Sequence, residues 1–102
     1  MTILPPLKGD PRLAEGLRLL EAGDWLEASD VFEELYFEAV RDEVPLVRVL
    51  LQLATGLHHR SMGQRRPARE RLEEAARAMG EVTNGHGVDL EWLRERISAA
   101  LA

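Results

Sequence analysis

The spacing of apolar residues along the chain predicts helices and no strands. Apolar side chains recur every three or four residues, and no stretch alternates with period two for long enough to form a strand. Glycine and proline divide this pattern into five helices, predicted at 11–22, 25–42, 45–62, 66–79 and 89–101. We expect residues 1–102 to form a single all-α domain, with an extended N-terminal arm over 1–9 and a loop over 80–88.

The predicted helix ends carry residues that favour starts and stops. Asp10 can cap the first helix, and Pro11 suits its first position. Gly23 and Gly63 are the stop signals of the first and third helices. The third helix is apolar around most of its circumference, which is typical of the central helix of a bundle. We therefore expect its leucines to be buried, including Leu50, Leu53 and Leu57.

The chain contains an internal repeat of forty residues. The segments Gly23–Leu35 and Gly63–Ala75 both read G-x4-A-x3-[large apolar]-E-E-[apolar]. The glycine allows a tight turn, the alanine lets two helices approach, and the large residue fills the groove between them. This pattern resembles the turn and second helix of a tetratricopeptide unit. We expect two antiparallel helical hairpins packed into a compact bundle, with the fifth helix as a lid.

Composition narrows the class of protein. The chain is 45% hydrophobic and 30% charged, as in a globular domain, and its longest uncharged apolar stretch, Val49–Leu57, is nine residues. A bilayer requires about 20. Cysteine is absent, which excludes disulfides, thiolate metal sites and a cysteine nucleophile. The net charge of −5 argues against binding to nucleic acid. Residues 1–7 lack the pattern of an export signal, so we expect a cytoplasmic protein.

An aromatic stripe on the second helix is the first candidate site. Trp25, Ser29, Phe32 and Tyr36 lie on one flank, and Glu33 lies beside Tyr36. Such a stripe is either core packing, which is the commoner case, or a groove for a ligand or partner. The other carboxylates of this helix fall on the opposite face, as expected for a solvated surface: Glu27, Asp30, Glu34 and Glu38.

Two polar residues on the apolar third helix form the second candidate site. Gln52 and His59 share a stripe with Gly56, whose cost to the helix, about 1 kcal/mol, suggests a close helix crossing or a ligand. Either Gln52 and His59 belong to a structural hydrogen-bond network, or they form a small polar site with Glu33. One histidine with one or two carboxylates is a weak metal pattern, so we predict neither a metal ligand nor a cofactor.

Two separated motifs resemble a bacterial and archaeal family known as domain of unknown function 309. Residues 23–36, GDWLEASDVFEELY, are similar to its G-x-[FY]-[FY]-E-A-H-E-x-[LF]-E-x-x-W motif. Residues 52–63, QLATGLHHRSMG, followed by Ala68, are similar to its Q-G-L-I-Q-x-A-x-A-x-x-H-x-x-x-G-N-x-x-G-A motif from the second Q onward, whereas Arg48 and Val49 stand at the Q-G with which that motif begins. The resemblance implies a small helical protein and no assigned activity. Ser29 stands at the family's histidine and Tyr36 at its tryptophan, so a site that needs both family histidines would be incomplete here.

Two classes of function follow from these patterns. The first is a protein-interaction or scaffold module, because the hairpins are typical of such proteins and the chain lacks a complete catalytic constellation. The alternative is a small helical enzyme or metal-binding protein that uses Glu33, Gln52 and His59. We expect a protein partner or a homodimer, with no binding to nucleic acid or membrane. The seam of a homodimer would be the fifth helix, around Leu93 and Ile97, or the flank of Trp25 and Tyr36.

Overall fold

The computed structural model describes residues 6–102, which form five helices and no strand. The all-α fold is therefore confirmed. A 3-10 turn at Leu7–Gly9 precedes the helices, which are α1 (Pro11–Ala22), α2 (Trp25–Glu38), α3 (Val44–Ser61), α4 (Arg65–Met79) and α5 (Leu90–Leu101). Each helix packs against the next one along the chain.

The chain before α1 is anchored to the fold. Residues 1–5 of the predicted arm lie outside the described residues. Leu7 is only 4% exposed, and its backbone N–H donates to the carboxylate of Glu43 at 3.1 Å. The prediction of an extended arm is wrong at Leu7–Gly9, because an apolar side chain and a carboxylate acceptor draw this segment onto the core.

Helix α2 ends at Glu38, four residues before the predicted end at residue 42. Ala39 has an extended backbone, with φ −64° and ψ 134°. The Glu43 carboxylate accepts the backbone N–H of Val40 at 3.0 Å, so a turn replaces the last helical residues. The apolar pattern continues through Ala39, so it does not indicate that the hydrogen bond to Glu43 ends the helix.

The two helical hairpins, α1–α2 and α3–α4, pack in the same way forty residues apart. In the first hairpin, a Cβ atom on Gly16 would lie 2.5 Å from a ring carbon of Phe32. In the second, a Cβ atom on Gly56 would lie 2.8 Å from the Leu72 side chain. Gly56 therefore marks a close helix crossing, one of the two interpretations of that glycine. The repeat read from the second helices also includes the first helices.

Helix α5 repeats the first helix of the hairpins a third time. Leu13, Leu53 and Leu93 are spaced by forty residues and are 5%, 1% and 0% exposed. Ile97 is 4% exposed, so the fold itself buries the apolar face that was the expected dimer seam. The similarity to a tetratricopeptide unit is not confirmed, and the repeat is longer than the about 34 residues of that family.

Helix α3 is the centre of the core. It has the largest set of buried residues of any helix: Leu46, Val47, Val49, Leu50, Leu53, Ala54 and Gly56. The expectation of burial holds for Leu50 and Leu53, whereas Leu57 is half-buried. Helix α3 contacts both α2 and α4, so it joins the first hairpin to the second.

A charged network joins α1 to α2 at the start of the fold. The Arg12 guanidinium donates to Asp10 at 2.7 Å, to Glu34 at 2.8 Å and to Glu38 at 2.7 Å. Asp10 is 6% exposed and also caps α1 by accepting the backbone N–H of Arg12. The hydrogen bonds from Arg12 hold the pKa of Asp10 and the pKa of Glu38 below their usual ranges. This arginine is therefore a structural residue.

Candidate functional site

The contact between α2 and α3 establishes which predicted site residues lie level with each other. Arg48 donates to the Tyr36 hydroxyl at 3.2 Å, so these two residues face each other across antiparallel helices. Glu33, one turn before Tyr36, is then level with the chain near Gln52. His59 lies seven residues beyond Gln52, or about 10 Å along the helix axis. The structure thus brings Glu33 and Gln52 to one level and places His59 at another.

Ser29 and Glu33 have different environments on α2. Ser29 is buried, and its hydroxyl donates to the carbonyl of Leu26 at 2.7 Å, within its own helix. Glu33 is exposed and makes no side-chain hydrogen bond within residues 6–102. Gln52 is half-buried and likewise has no hydrogen-bond partner in that part of the chain. Glu33 and Gln52 can therefore accept a bond from an outside group.

His59 binds the turn that follows its helix. Its Nδ1 atom lies 2.6 Å from Oε1 of Gln64, the residue directly before α4. Because Gln64 makes this contact, its side chain does not cap α4. The contact supports the structural interpretation of His59, since the imidazole fastens α3 to the start of α4. A joint site with Glu33 stays a proposal.

The three aromatic side chains of the aromatic stripe lie in three different environments. Phe32 is fully buried against Gly16 of α1. Trp25 is half-buried and lines a cavity with Leu53 and Leu57 of α3. Tyr36 directs its hydroxyl at Arg48, whose guanidinium carbon lies 5.9 Å from the centre of the Tyr36 ring. The stripe is thus packing at Phe32, and no single aromatic groove results.

Two cavities at the hairpin turns were not found by sequence reasoning. The first-turn cavity, about 230 Å³, is lined by Leu20, Gly23 and Trp25 together with parts of α3 and α5. The second-turn cavity, about 600 Å³, has three lining residues one repeat after Leu20, Gly23 and Trp25, and it shares two lining residues with the first cavity. Its lining is Arg60, Gly63, Arg65, Ala68, Arg69, Leu72, Ala100, Leu101 and Ala102, of which Arg60 and Ala100 are the shared ones. The forty-residue repeat is a signal that relates the two turns, but the cavities also need residues of α5.

The two cavities differ in charge. Arg60 lines both cavities. In the first, the other arginine, Arg96, is paired with Glu21 at 2.8 Å. In the second, Arg60 donates to the backbone carbonyl of Ala100 at 2.9 Å, and Arg65 has no carboxylate partner among residues 6–102. The second-turn cavity is therefore the more positive of the two.

The outward face of α2 carries exposed apolar side chains. Leu26 is 53% exposed and Phe37 is 83% exposed. These two residues are eleven positions apart, which returns a helix to nearly the same direction. Asp30 and Glu33 are exposed between them on that face. We name these four residues the α2 stripe; it shares no residue with the aromatic stripe described above.

Over residues 6–102, no three histidine, aspartate or glutamate side chains are grouped so that they could hold a metal ion. In the same range no helix is long and apolar enough to cross a bilayer.

Comparison with known proteins gives one result. The sequence profile of a family described as "Domain of unknown function (DUF309)" matches residues 13–71, which include most of α1, all of α2 and α3, and the first half of α4. No curated protein and no solved structure matches the chain. The resemblance found in the two motifs is thereby confirmed.

Proposed function

The chain belongs to the family described as domain of unknown function 309, and on that premise we propose that it is a protein-interaction module whose docking surface is the α2 stripe. The exposure of Phe37 carries this proposal. A side chain of that size, 83% exposed on a regular helix, makes no contribution to the core and is typical of an anchor for a partner.

The chemistry of the stripe describes the partner. Leu26 and Phe37 are separated by about 16 Å along the helix axis, which matches the length of a short helix or an extended segment. Asp30 and Glu33 lie between them without a basic partner among residues 6–102. We expect a partner segment with two apolar anchors and basic residues between them.

This chemistry favours a different protein over a second copy of the chain. Two α2 stripes packed together would place carboxylates against carboxylates, which costs free energy. A homodimer through this face is therefore the weaker proposal. Sedimentation equilibrium separates the two, because a monomer has a mass of 11.5 kDa and a dimer twice that value.

Affinity capture with matched variants tests the docking surface. We expect the double variant Leu26→Ser/Phe37→Ser to lose a partner that the parent protein captures from a cytoplasmic extract of the source cells. Met62→Ser is the control, because Met62 is 64% exposed but lies outside α2. The partner should also dissociate as salt rises from about 0.1 M to about 0.5 M.

The proposal fails if the partner binds the double variant and the parent protein equally. It also fails if Met62→Ser loses the partner to the same extent. The use of a cytoplasmic extract is part of the proposal, since we place the protein in the cytoplasm. Fractionation of the cells with detection by antibody tests that location.

The alternative function, an enzyme or metal-binding protein that uses Glu33, Gln52 and His59, has less support. His59 is about 10 Å along the helix axis from Gln52, and its imidazole already contacts Gln64. Metal analysis of protein purified without a histidine tag tests this alternative. A stoichiometric ion that is lost in Glu33→Gln would favour it over the docking module.

A further inference from the structure

We propose that the second-turn cavity binds a small organic anion, with an oxyanion head held by arginine and an apolar group on the floor of the cavity. This site is separate from the α2 stripe and does not depend on its function. The head is a carboxylate or a phosphate, since a guanidinium fork matches both.

The internal repeat shows that the cavity departs from its structural counterpart. Leu20 of the first hairpin is 6% exposed, and Trp25 is half-buried. One repeat later, these positions hold Arg60 and Arg65, both exposed. The hairpin therefore folds with apolar residues at these two positions. In the second copy Arg60 binds the carbonyl of Ala100 in α5, whereas the charge of Arg65 has no carboxylate partner among residues 6–102 and needs another explanation.

Two of the three arginines of the cavity, Arg60 and Arg65, have no carboxylate within 4.0 Å among residues 6–102, which is also true of four arginines outside it: Arg41, Arg66, Arg71 and Arg94. Arg12, Arg48 and Arg96 each have a carboxylate within 4.0 Å, as do Arg18 and Arg77. In the cavity only Arg69 has one, an exposed contact with Glu73 at 3.4 Å. Because exposed pairs of this kind are weak, the cavity keeps a net positive potential in a chain of net charge −5.

The floor and the size of the cavity describe the rest of the ligand. Ala68 and Leu72 of α4 and Leu101 of α5 supply apolar surface between the arginines. The volume of about 600 Å³ is within the range of small-molecule sites, about 300–1,000 Å³. A simple inorganic ion would leave this apolar surface uncovered, so the structure favours an anion with a short hydrocarbon or ring.

Calorimetric titration with a set of related probes tests the site. We expect octanoate or octyl phosphate to bind, and the better of the two identifies the head group. Octan-1-ol has the same chain without the charge, and inorganic phosphate and acetate have the charge without the chain. We expect these three to bind at least about tenfold more weakly than the better octyl anion.

Matched double variants locate the binding. Arg65→Gln/Arg69→Gln should lower the affinity for the better octyl anion by about tenfold, because both charges border the cavity. Arg41→Gln/Arg94→Gln removes the same charge from exposed positions outside it and should change the affinity by less than about twofold. Circular dichroism checks that each variant is folded, and the exposure of all four side chains predicts that it is.

Three results would overturn the proposal. The first is that neither octyl anion binds at millimolar concentration. The second is that octan-1-ol binds as tightly as the anions, which would indicate non-specific apolar contact. The third is that both double variants weaken binding equally, which would mean that only the overall charge matters.

Discussion

The two hairpins have the same packing and different turns. In both, a glycine of the first helix lies against a large side chain of the second, Phe32 in one and Leu72 in the other. At the turns the similarity ends, since Trp25 of the first hairpin corresponds to Arg65 of the second. The fold therefore depends on the helix crossings and leaves the turn surfaces open to other uses.

Arginine itself illustrates this difference. Arg12, in the first hairpin, is surrounded by three carboxylates and joins α1 to α2. Arg65, in the second, has no carboxylate partner among residues 6–102. The same residue type therefore stabilises the fold in one hairpin and stays accessible to solvent in the other.

The largest expected effect is the loss of a helix-crossing residue. Phe32→Ala should reduce the free energy of unfolding by about 3–5 kcal/mol, and Leu72→Ala by about 2–5 kcal/mol. Both side chains are buried, so each substitution leaves a cavity. Urea denaturation measures both values. A loss below about 1 kcal/mol in either variant would show that the two crossings are not equivalent in the fold.

The glycines at these crossings should also differ in a defined way. A new Cβ in Gly16→Ala meets the Phe32 ring at 2.5 Å, whereas in Gly56→Ala it meets Cγ and Cδ2 of Leu72 at the longer distance of 2.8 Å and the backbone oxygen of Ala68 at 3.3 Å. We expect Gly16→Ala to lower the free energy of unfolding by about 1–2 kcal/mol, after the favourable effect of alanine on the helix is included. Gly56→Ala should lower it by less.

Gly9→Ala is the control for the two crossings, because nothing lies within 4 Å of the position of its Cβ. Thermal unfolding of the three variants checks the order. A Gly16→Ala protein as stable as the parent would contradict the crossing described here.

The charged network of the first hairpin should make stability depend on acid. The pKa of Asp10 and the pKa of Glu38 are lowered by hydrogen bonds from Arg12, from ordinary values of 3.8 and 4.5. Folded-state pKa values below the unfolded ones stabilise the protein above about pH 5, and this stabilisation is lost as pH falls through the folded values.

The variant Asp10→Ala tests this network. It should lose about 1–2 kcal/mol at pH 7, because α1 loses its cap and Arg12 loses a buried partner. When the pH is lowered from about 5 to about 2, the free energy of unfolding should fall less in this variant than in the parent protein. Denaturation series at several pH values check both points, and parallel acid profiles for the two proteins would contradict the network.

The smallest of these effects concerns His59. We expect His59→Ala to lose about 1 kcal/mol, because its ring fastens α3 to Gln64 in a half-buried position. His58 makes no such contact with Gln64, so His58→Ala should change stability by less than about 0.5 kcal/mol. Thermal unfolding compares the two variants, and equal shifts would refute the structural role of His59.

Much of the fold could be predicted from local sequence signals. Pro11, Gly23 and Gly63 mark helix ends by their own backbone preferences, and the period of the leucines marks the buried faces. The end of α2 could not be predicted this way, because it depends on Glu43, which binds backbone N–H groups of two separate segments. Local patterns do not report such contacts.

The candidate site was less predictable than the fold. Helical spacing correctly placed Glu33 and Gln52 on their helices, but the relative level of α2 and α3 depends on contacts such as Tyr36 with Arg48. Without that contact, the sequence could not show whether Glu33 lies level with Gln52 or with His59. The second-turn cavity depends on how α5 covers the hairpin, which no local pattern records.

A reciprocal exchange of Trp25 and Arg65 separates the packing that the hairpins share from the charge of the second turn. We claim that both hairpins share one packing scheme and that the fold does not need the charge of Arg65. The measurement is the free energy of unfolding of Trp25→Arg and of Arg65→Trp, by urea denaturation under identical conditions. We predict a loss of about 2 kcal/mol for Trp25→Arg and no loss for Arg65→Trp. A loss above about 1 kcal/mol in Arg65→Trp would contradict the claim, because the fold would then depend on that arginine.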